Sequence, residues 1–409
     1  MQKKKLITAC VLAVFTFAAW RVLSLGLADA YARKDPERAL FWRGDHPEAL
    51  YRMAERQAAG KRWPEAKAYA ERSLHANPLD GRALRVLAQA AEANGQPAKA
   101  LDLYRKAAVL APRDIPSHAW LLAHALANRE AQPAVTHLDA LLRLRPAALG
   151  ALQPQANALA VNPATQRQMV DALAGNPPWR GGFLQGLAKS DYRSADIAPL
   201  FLQLSRKSGL DPNEFKPWLE RLRSEKRYSQ AYVTWANLIP ASQRRYLGNV
   251  FDGGFELPPE AHVGDFAWNS RDVNGAMVLW TGTRGTVGES SYSVQFEGRR
   301  TPFADLSQLL ALPPGEWLLS WRAKANRLDN PRGLIWRVSC ENDGRTLADS
   351  EPMMGQHDWR PMSLPVSVPA ACTGQRLTLM IPARIPSETL INGTLWLDEV
   401  RIEPAPQLP

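Results

Sequence analysis

The chain has 409 residues, which at roughly 100–200 residues per domain predicts two or three domains. Apolar residues make up 45% and charged residues 22%, ordinary globular usage that excludes wholesale disorder and a protein of many membrane spans. The formal charge of +10 invites a nucleic-acid function, but that charge is unevenly placed. From Gly248 onward 14 Lys and Arg face 19 Asp and Glu, a net of −5, which leaves 36 against 21, or +15, before it. Half of the 14 tryptophans lie beyond Gly248, and a shift of this kind marks a domain boundary.

Lys3 to Lys5 precede an apolar stretch, Leu6 to Ala28, interrupted only by Arg21. At about 1.5 Å per helical residue it is long enough for a hydrocarbon core of roughly 30 Å. Lysines before it predict a cytoplasmic N-terminus and a translocated remainder. A retained signal anchor is expected, because the run is long for a signal peptide and the Arg21 stem can snorkel to the outer interface. Cleavage at Ala28-Asp-Ala30 or Ala30-Tyr-Ala32 is the alternative. Cys10 precedes most of the apolar run and is not expected to be lipidated. The expected location is the bacterial inner membrane, single-pass, with the bulk of the chain periplasmic. In that compartment Cys340 and Cys372 are disulfide candidates, against two separate buried thiols.

The helical middle repeats every 34 residues. Ala66, Ala100 and Ala134 fall in one column and Pro78, Pro112 and Pro146 in another. The physics is a pair of helices, a small residue permitting close approach and a proline ending the second helix. The pattern resembles the tetratricopeptide repeat, in units 47–80, 81–114 and 115–148. It departs at Ala70, where the family prefers an aromatic, and at His118, where a large apolar residue is usual. The resemblance implies an α-solenoid with a protein partner. Residues 150–247 carry helical periodicity without the register over Thr165–Ala174, Arg193–Ser208, Asn213–Ser224 and Tyr228–Leu238, and are expected to be degenerate repeats. Trp179, Trp218 and Trp235 are expected in the core.

Beyond Gly248 the period becomes 2. Trp317, Leu319, Trp321 and Ala323 alternate with polar or outward positions, as do Leu334, Trp336, Val338 and Cys340. Tyr292, Val294 and Phe296, then Leu364, Val366 and Val368, then Leu377, Leu379 and Ile381 continue the habit. Short alternating segments between Pro and Gly turns predict an antiparallel β-sandwich. Asn249-Val-Phe-Asp-Gly-Gly-Phe-Glu256 with Trp268, Pro314-Gly-Glu-Trp-Leu-Leu-Ser-Trp-Arg-Ala-Lys-Ala325 and Leu395-Trp-Leu-Asp-Glu-Val-Arg-Ile402 resemble the opening, middle and closing strands of galactose-binding-like jelly rolls among carbohydrate-binding modules. The resemblance implies Glu256 and Asp398 as ligands of a structural calcium; the alternative is that they tie the first and last strands by hydrogen bonds. For glycan binding, exposed aromatics that stack on sugar rings are needed. Trp317, Trp321 and Trp336 are expected in the core, leaving Trp280 and Trp359, beside Arg284 and Asp358, as the expected platforms.

No HExxH, GxSxG or phosphate-binding glycine loop is present, and the 7 histidines are scattered, so no catalytic residues are assigned and no enzyme is expected. The basic residues lack the aromatic interleaving of single-strand binders, so nucleic acid is not expected either. The expected organisation is multidomain, α then β. A cytoplasmic start and anchor occupy 1–32, tetratricopeptide-like repeats 33–149, degenerate helical repeats 150–247 and a jelly roll 248–409. The expected role is a scaffold that holds a protein partner and a glycan in polysaccharide biosynthesis or export. The alternative is a structural protein–protein adaptor that binds no sugar.

Overall fold

A computed structural model describes residues 2–271 and 273–406, the side chains of residues 2–10 excepted, so Cys10 and the first part of the apolar stretch lie outside the described side chains. The chain divides into two compact units, Met1–Phe183 and Leu184–Pro409. Helices come first and two antiparallel sheets follow.

The first unit opens with a 30-residue helix, α1 (Gln2–Tyr31), within which Val11–Tyr31 is long and apolar enough to cross a membrane. A short helix α2 (Pro36–Trp42) follows. Three helix pairs come next, α3 (Pro47–Ala59) with α4 (Trp63–Ala76), α5 (Gly81–Ala93) with α6 (Pro97–Leu110), and α7 (Ile115–Ala127) with α8 (Ala131–Leu144). The first helices start at 47, 81 and 115 and the second at 63, 97 and 131, which keeps the 34-residue step of the sequence columns. Ala66, Ala100 and Ala134 are fully buried, as close helix approach requires. Pro78 and Pro112 follow the second helices of their pairs, and Pro146 begins a short 3₁₀ turn.

Capping repeats on the same step. The side chains of His46, Asp80 and Asp114 each accept a backbone N–H at the start of the next helix. Within each pair the turn residue is left-handed, Lys61 at φ 56°, Gly95 at 68° and Arg129 at 57°. Ion pairs join neighbouring units. Arg82 meets Glu48 at 2.7 Å, and Arg85, almost fully buried, bonds the Tyr51 hydroxyl at 3.1 Å and the Asp114 carboxylate at 3.1 Å. Helices α9 (Leu149–Val161) and α10 (Pro163–Ala174) belong to the same unit, and the division between the units falls within α11 (Arg180–Ala188).

The second unit contains α12 (Ser194–Ser208), α13 (Pro212–Ser224), α14 (Tyr228–Leu238) and the sandwich. The strands are β1 (Ala276–Trp280), β2 (Tyr292–Arg300), β3 (Leu306–Leu310), β4 (Gly315–Asp329), β5 (Ile335–Cys340), β6 (Thr346–Asp349), β7 (Gly355–Val368), β8 (Gln375–Met380) and β9 (Leu390–Pro404). One sheet is ordered β1-β2-β9-β4-β7 and the other β3-β8-β5-β6. The alternating residues named above, Trp317, Trp321 and Trp336 among them, fill the core between the sheets. Cys340 and Cys372 form a disulfide inside it.

The closing strand β9 is central, flanked by β2 and β4. The opening segment lies against it: Val400 donates its N–H to the Gly253 carbonyl at 2.8 Å, and a Cβ at Gly253 would collide with the Val400 carbonyl. Helices α13 and α14 pack on the sandwich. Trp235 stacks edge-on against Phe251 and donates to the Val263 carbonyl at 2.7 Å, and the Tyr232 hydroxyl donates to the Gly248 carbonyl at 2.8 Å. The helical segment from Leu184 therefore shares its packing with the strands, although the sequence period changes only at Gly248. Trp179, Trp218 and Trp235 are all buried.

Candidate functional site

Strand alternation sends one side-chain set of the five-stranded sheet into the core and the other onto its outer face. Register places Leu279 of β1 opposite Ser293 of β2, Ser293 opposite Trp396 of β9, and Trp396 opposite Lys324 of β4. The Lys324 ammonium reaches the Asp358 carboxylate of β7 at 3.2 Å and sits 6.0 Å from the Trp396 ring centre. One residue pair along β4, the Arg322 guanidinium lies over the Trp359 ring at 5.3 Å. The result is a strip across the sheet that carries two partly buried tryptophans, two cations and one carboxylate. Met277 and Leu279, about half exposed, continue it at the β1 edge.

A turn after β1 fixes Trp359. Thr286 donates its backbone N–H to the Thr283 carbonyl and Thr283 donates to the Thr286 hydroxyl, closing the loop. The Arg284 carbonyl accepts the Trp359 indole N–H at 3.0 Å, and the Gly285 carbonyl accepts from Arg322 at 3.2 Å. Gly285 is left-handed, φ 90°, and a Cβ there would press on the Trp359 ring at 2.6 Å. The Trp359 backbone N–H, and after it the Lys324 ammonium, hold the exposed Asp358 carboxyl below its usual range. The strip therefore presents both charges at neutral pH, and cations outnumber carboxylates on it.

Of the expected glycan residues, Trp359, Arg284 and Asp358 come together here. Trp280 does not. Its parity on β1 turns it inward: its ring meets Phe255 and Tyr292 edge-on at 5.3 and 6.0 Å and His262 at 4.7 Å. Trp280 is partly buried, as Trp359 is, but as the last residue of β1 it follows the strand's alternation and packs on the core. What remains accessible of Trp280 lines a cavity of about 410 Å³ shared with Asn213, Lys216 and Glu220 of α13 and with Asn269 and Ser270. Sequence reasoning assigned no role to Arg322, Lys324 or Trp396. The signal was present, since these are the outward members of the 317–324 alternation and the residue between buried Leu395 and Leu397.

Glu256 and Asp398 grip one short segment. Asp398, fully buried, accepts the N–H of Val287 at 2.8 Å and of Glu399 at 2.7 Å. Glu256 accepts the N–H of Glu289 through both oxygens at 3.1 and 3.2 Å, and a Cβ on the intervening Gly288 would collide with it. Burial pushes the Asp398 carboxyl up to about 6, against the lowering pull of its two backbone donors. Calcium takes six to eight oxygens and favours ionised carboxylates. Here the carboxylate oxygens face N–H donors, and among the described residues no group of three or more His, Cys, Asp or Glu is arranged to hold a metal. The two carboxylates make a hydrogen-bonded clasp of the 287–289 segment, the arrangement that ties the opening segment and the last strand to one loop.

No protein-family model and no curated protein matches the chain. Solved structures similar to the β region include a family 4 carbohydrate-binding module, at 14% identity and TM-score 0.28, covering 38% of this chain and 99% of that one. A family 61 module in complex with β-1,4-galactotriose matches at 18% identity and TM-score 0.27, covering 39% of this chain and 97% of that one. The tetratricopeptide-repeat protein PilF of Pseudomonas aeruginosa matches at 12% identity and TM-score 0.26, covering 46% of this chain and 88% of that one.

Proposed function

We propose that the protein is a membrane-anchored binding protein without catalytic activity. It takes a glycan on the outer face of the five-stranded sheet and a protein partner on its helix pairs. It is placed in the bacterial inner membrane with its bulk in the periplasm, and it serves polysaccharide biosynthesis or export. The observation that carries the glycan function is the strip of Trp359, Trp396, Arg322 and Lys324 on the outer sheet face. Indole faces stack on the C–H faces of sugar rings, while the cations and Asp358 bond hydroxyl or carboxylate groups of the chain. The excess of cations favours an acidic polysaccharide.

Three features support the anchor and its compartment. The helix α1 is long and apolar. Both sequences that could be cleaved lie inside α1 or at its end, where Ala28 and Ala32 are buried and Asp29 is bonded to His46 at 2.7 Å, so a cut there would break the packed unit. The Cys340–Cys372 disulfide suits an oxidising compartment. The role in polysaccharide assembly rests on the joint resemblance to tetratricopeptide repeats and carbohydrate-binding modules.

One observation favours the purely structural adaptor: one face of Trp359 is taken by Arg322 and one edge by Gly285. A glycan array probed with the full-length protein in detergent, including uronic-acid polymers and neutral glucans, separates the two. Retention of acidic glycans supports the binding function, and a blank array supports the adaptor.

A further inference from the structure

The positions Trp20, Ser24, Ala28 and Ala32 are four residues apart and form one stripe along α1 and its end. Ser24, Ala28 and Ala32 are buried, at 4%, 0% and 3% exposure, while Val11, Leu12, Val14, Phe15 and Phe17 are about half to two-thirds exposed. The two ends of α1 thus face different surroundings. From Ser24 onward the helix belongs to the protein, with Ala32, Ala39 and Ala49 in one cluster and Asp29 bonded to His46. The packed end of α1 thus begins at Ser24, inside the expected span of residues 6–28.

The helix α2 doubles back. It begins beside the end of α1, where Asp35 donates its N–H to the Tyr31 carbonyl at 2.8 Å, and it ends with Trp42 against Trp20 at a ring separation of 5.7 Å. Phe41 meets Trp42 edge-on at 5.5 Å and is itself 82% exposed. Three aromatic rings therefore stand at one level of α1, near the end of its exposed apolar part, which runs on through Val22 and Leu23, with Arg21 beside them in sequence. From Lys5 to Arg21 is 16 helical steps, about 24 Å at 1.5 Å each, close to the thickness of a bilayer core. Tryptophan and other aromatics concentrate at the membrane–water interface, where an apolar ring and a polar edge are both satisfied.

We propose that Trp20, Phe41 and Trp42 form an interfacial anchor, so that the α1–α2 hairpin stands on the phospholipid surface by the end that carries Trp42, with Phe41 inserted among the headgroups. This rests on the proposal that α1 spans a membrane. It explains why a large ring stays exposed on a short helix whose other apolar residues, Ala39 and Leu40, are covered. It also removes any spacer between bilayer and protein, because His46, the cap of the first helix pair, is bonded directly to α1.

Depth-dependent quenching tests this in the full-length protein, carrying Cys10→Ser so that only an introduced thiol takes an environment-sensitive fluorophore. The label goes singly at Phe41→Cys, Phe15→Cys or the 70%-exposed Leu79→Cys, and each protein is reconstituted in phosphatidylcholine–phosphatidylglycerol vesicles. Nitroxide lipids labelled near the headgroup should remove most emission at position 41, acyl-chain nitroxides should do so at position 15, and neither should affect position 79. Deep quenching at 15 with none at 41 would overturn the interfacial anchor and leave the span standing. No quenching at 15 would overturn the span and the anchor with it.

Discussion

The Nδ1 atoms of His118 and His137 lie 3.0 Å apart, joining α7 to α8. His118 also directs Nε2 at the Pro112 carbonyl, 3.1 Å away, which requires a proton on that nitrogen. Of the two facing Nδ1 atoms one then donates and the other accepts. Burial, with the neighbouring His118 and Arg105, pushes the His137 pKa down to about 4. A large apolar residue is usual at the place of His118 in the repeat this unit resembles, and here a bonded histidine pair occupies it.

The lowered His137 pKa stabilises the first unit fully above the unfolded value of about 6.5, and that contribution is lost as pH falls towards 4. Denaturant melts of the wild type should show this acid loss. The variant His118→Leu should lessen it without abolishing it, because it removes one neighbour that opposes the charging of His137 while burial, the larger cause, remains. An unchanged acid slope in His118→Leu would count against the pair as its source.

Asp398 contributes with the opposite sign. A carboxyl held at about 6 in the fold and near 4 when unfolded stabilises the protonated form, so its contribution is present below pH 4 and lost as pH rises through 6. Asp398→Asn should abolish that slope while keeping the side chain's shape. A bound calcium ion would hold the carboxylate ionised, so the hydrogen-bonded clasp predicts equal melting temperatures in calcium and in chelator. A rise of several degrees with calcium would restore the metal site that the sequence resemblance implied.

The left-handed turn column offers a gain of stability. Arg129 adopts φ 57° where the equivalent turn in the second pair uses Gly95. Left-handed geometry costs a side-chain-bearing residue about 1–2 kcal/mol, and glycine gives back part of that through its larger unfolded entropy. Arg129→Gly should therefore stabilise by about 0.5–1 kcal/mol in urea melts, and a loss of stability would contradict the backbone account.

Much of the fold was legible because two periods carry it. The 34-residue columns located the helix pairs, and the alternation from 317 to 323 and from 334 to 340 assigned core tryptophans that are buried. What was not legible depended on neighbours distant in sequence. Trp280 ends a strand beside a loop, and only the fold shows Phe255, Tyr292 and His262 around it. The strip on the outer sheet joins residues of β4, β7 and β9, so Arg322 and Lys324 read as ordinary solvent-facing charges until register set them beside Trp359 and Trp396. The last turns of the apolar stretch read as membrane by composition, while Ser24 and Ala28 are buried.

The two tryptophans expected as sugar platforms should now behave differently. Trp280→Ala removes a ring packed on the core and should destabilise by up to roughly 3 kcal/mol, the low end for a tryptophan truncation. Trp359→Ala should cost less stability, since its ring packs on Arg322 and the 284–285 turn at the sheet surface rather than on the core.

Glycan binding by Trp359 is the central claim, and isothermal titration of the full-length protein with an acidic polysaccharide retained on the array tests it most directly. Trp359→Ala should weaken binding about tenfold, the equivalent of one stacking contact of roughly 1.4 kcal/mol, while the melting temperature stays close to that of the wild type. Wild-type affinity in Trp359→Ala, or no heat with any acidic or neutral glycan in the wild type, would contradict the account.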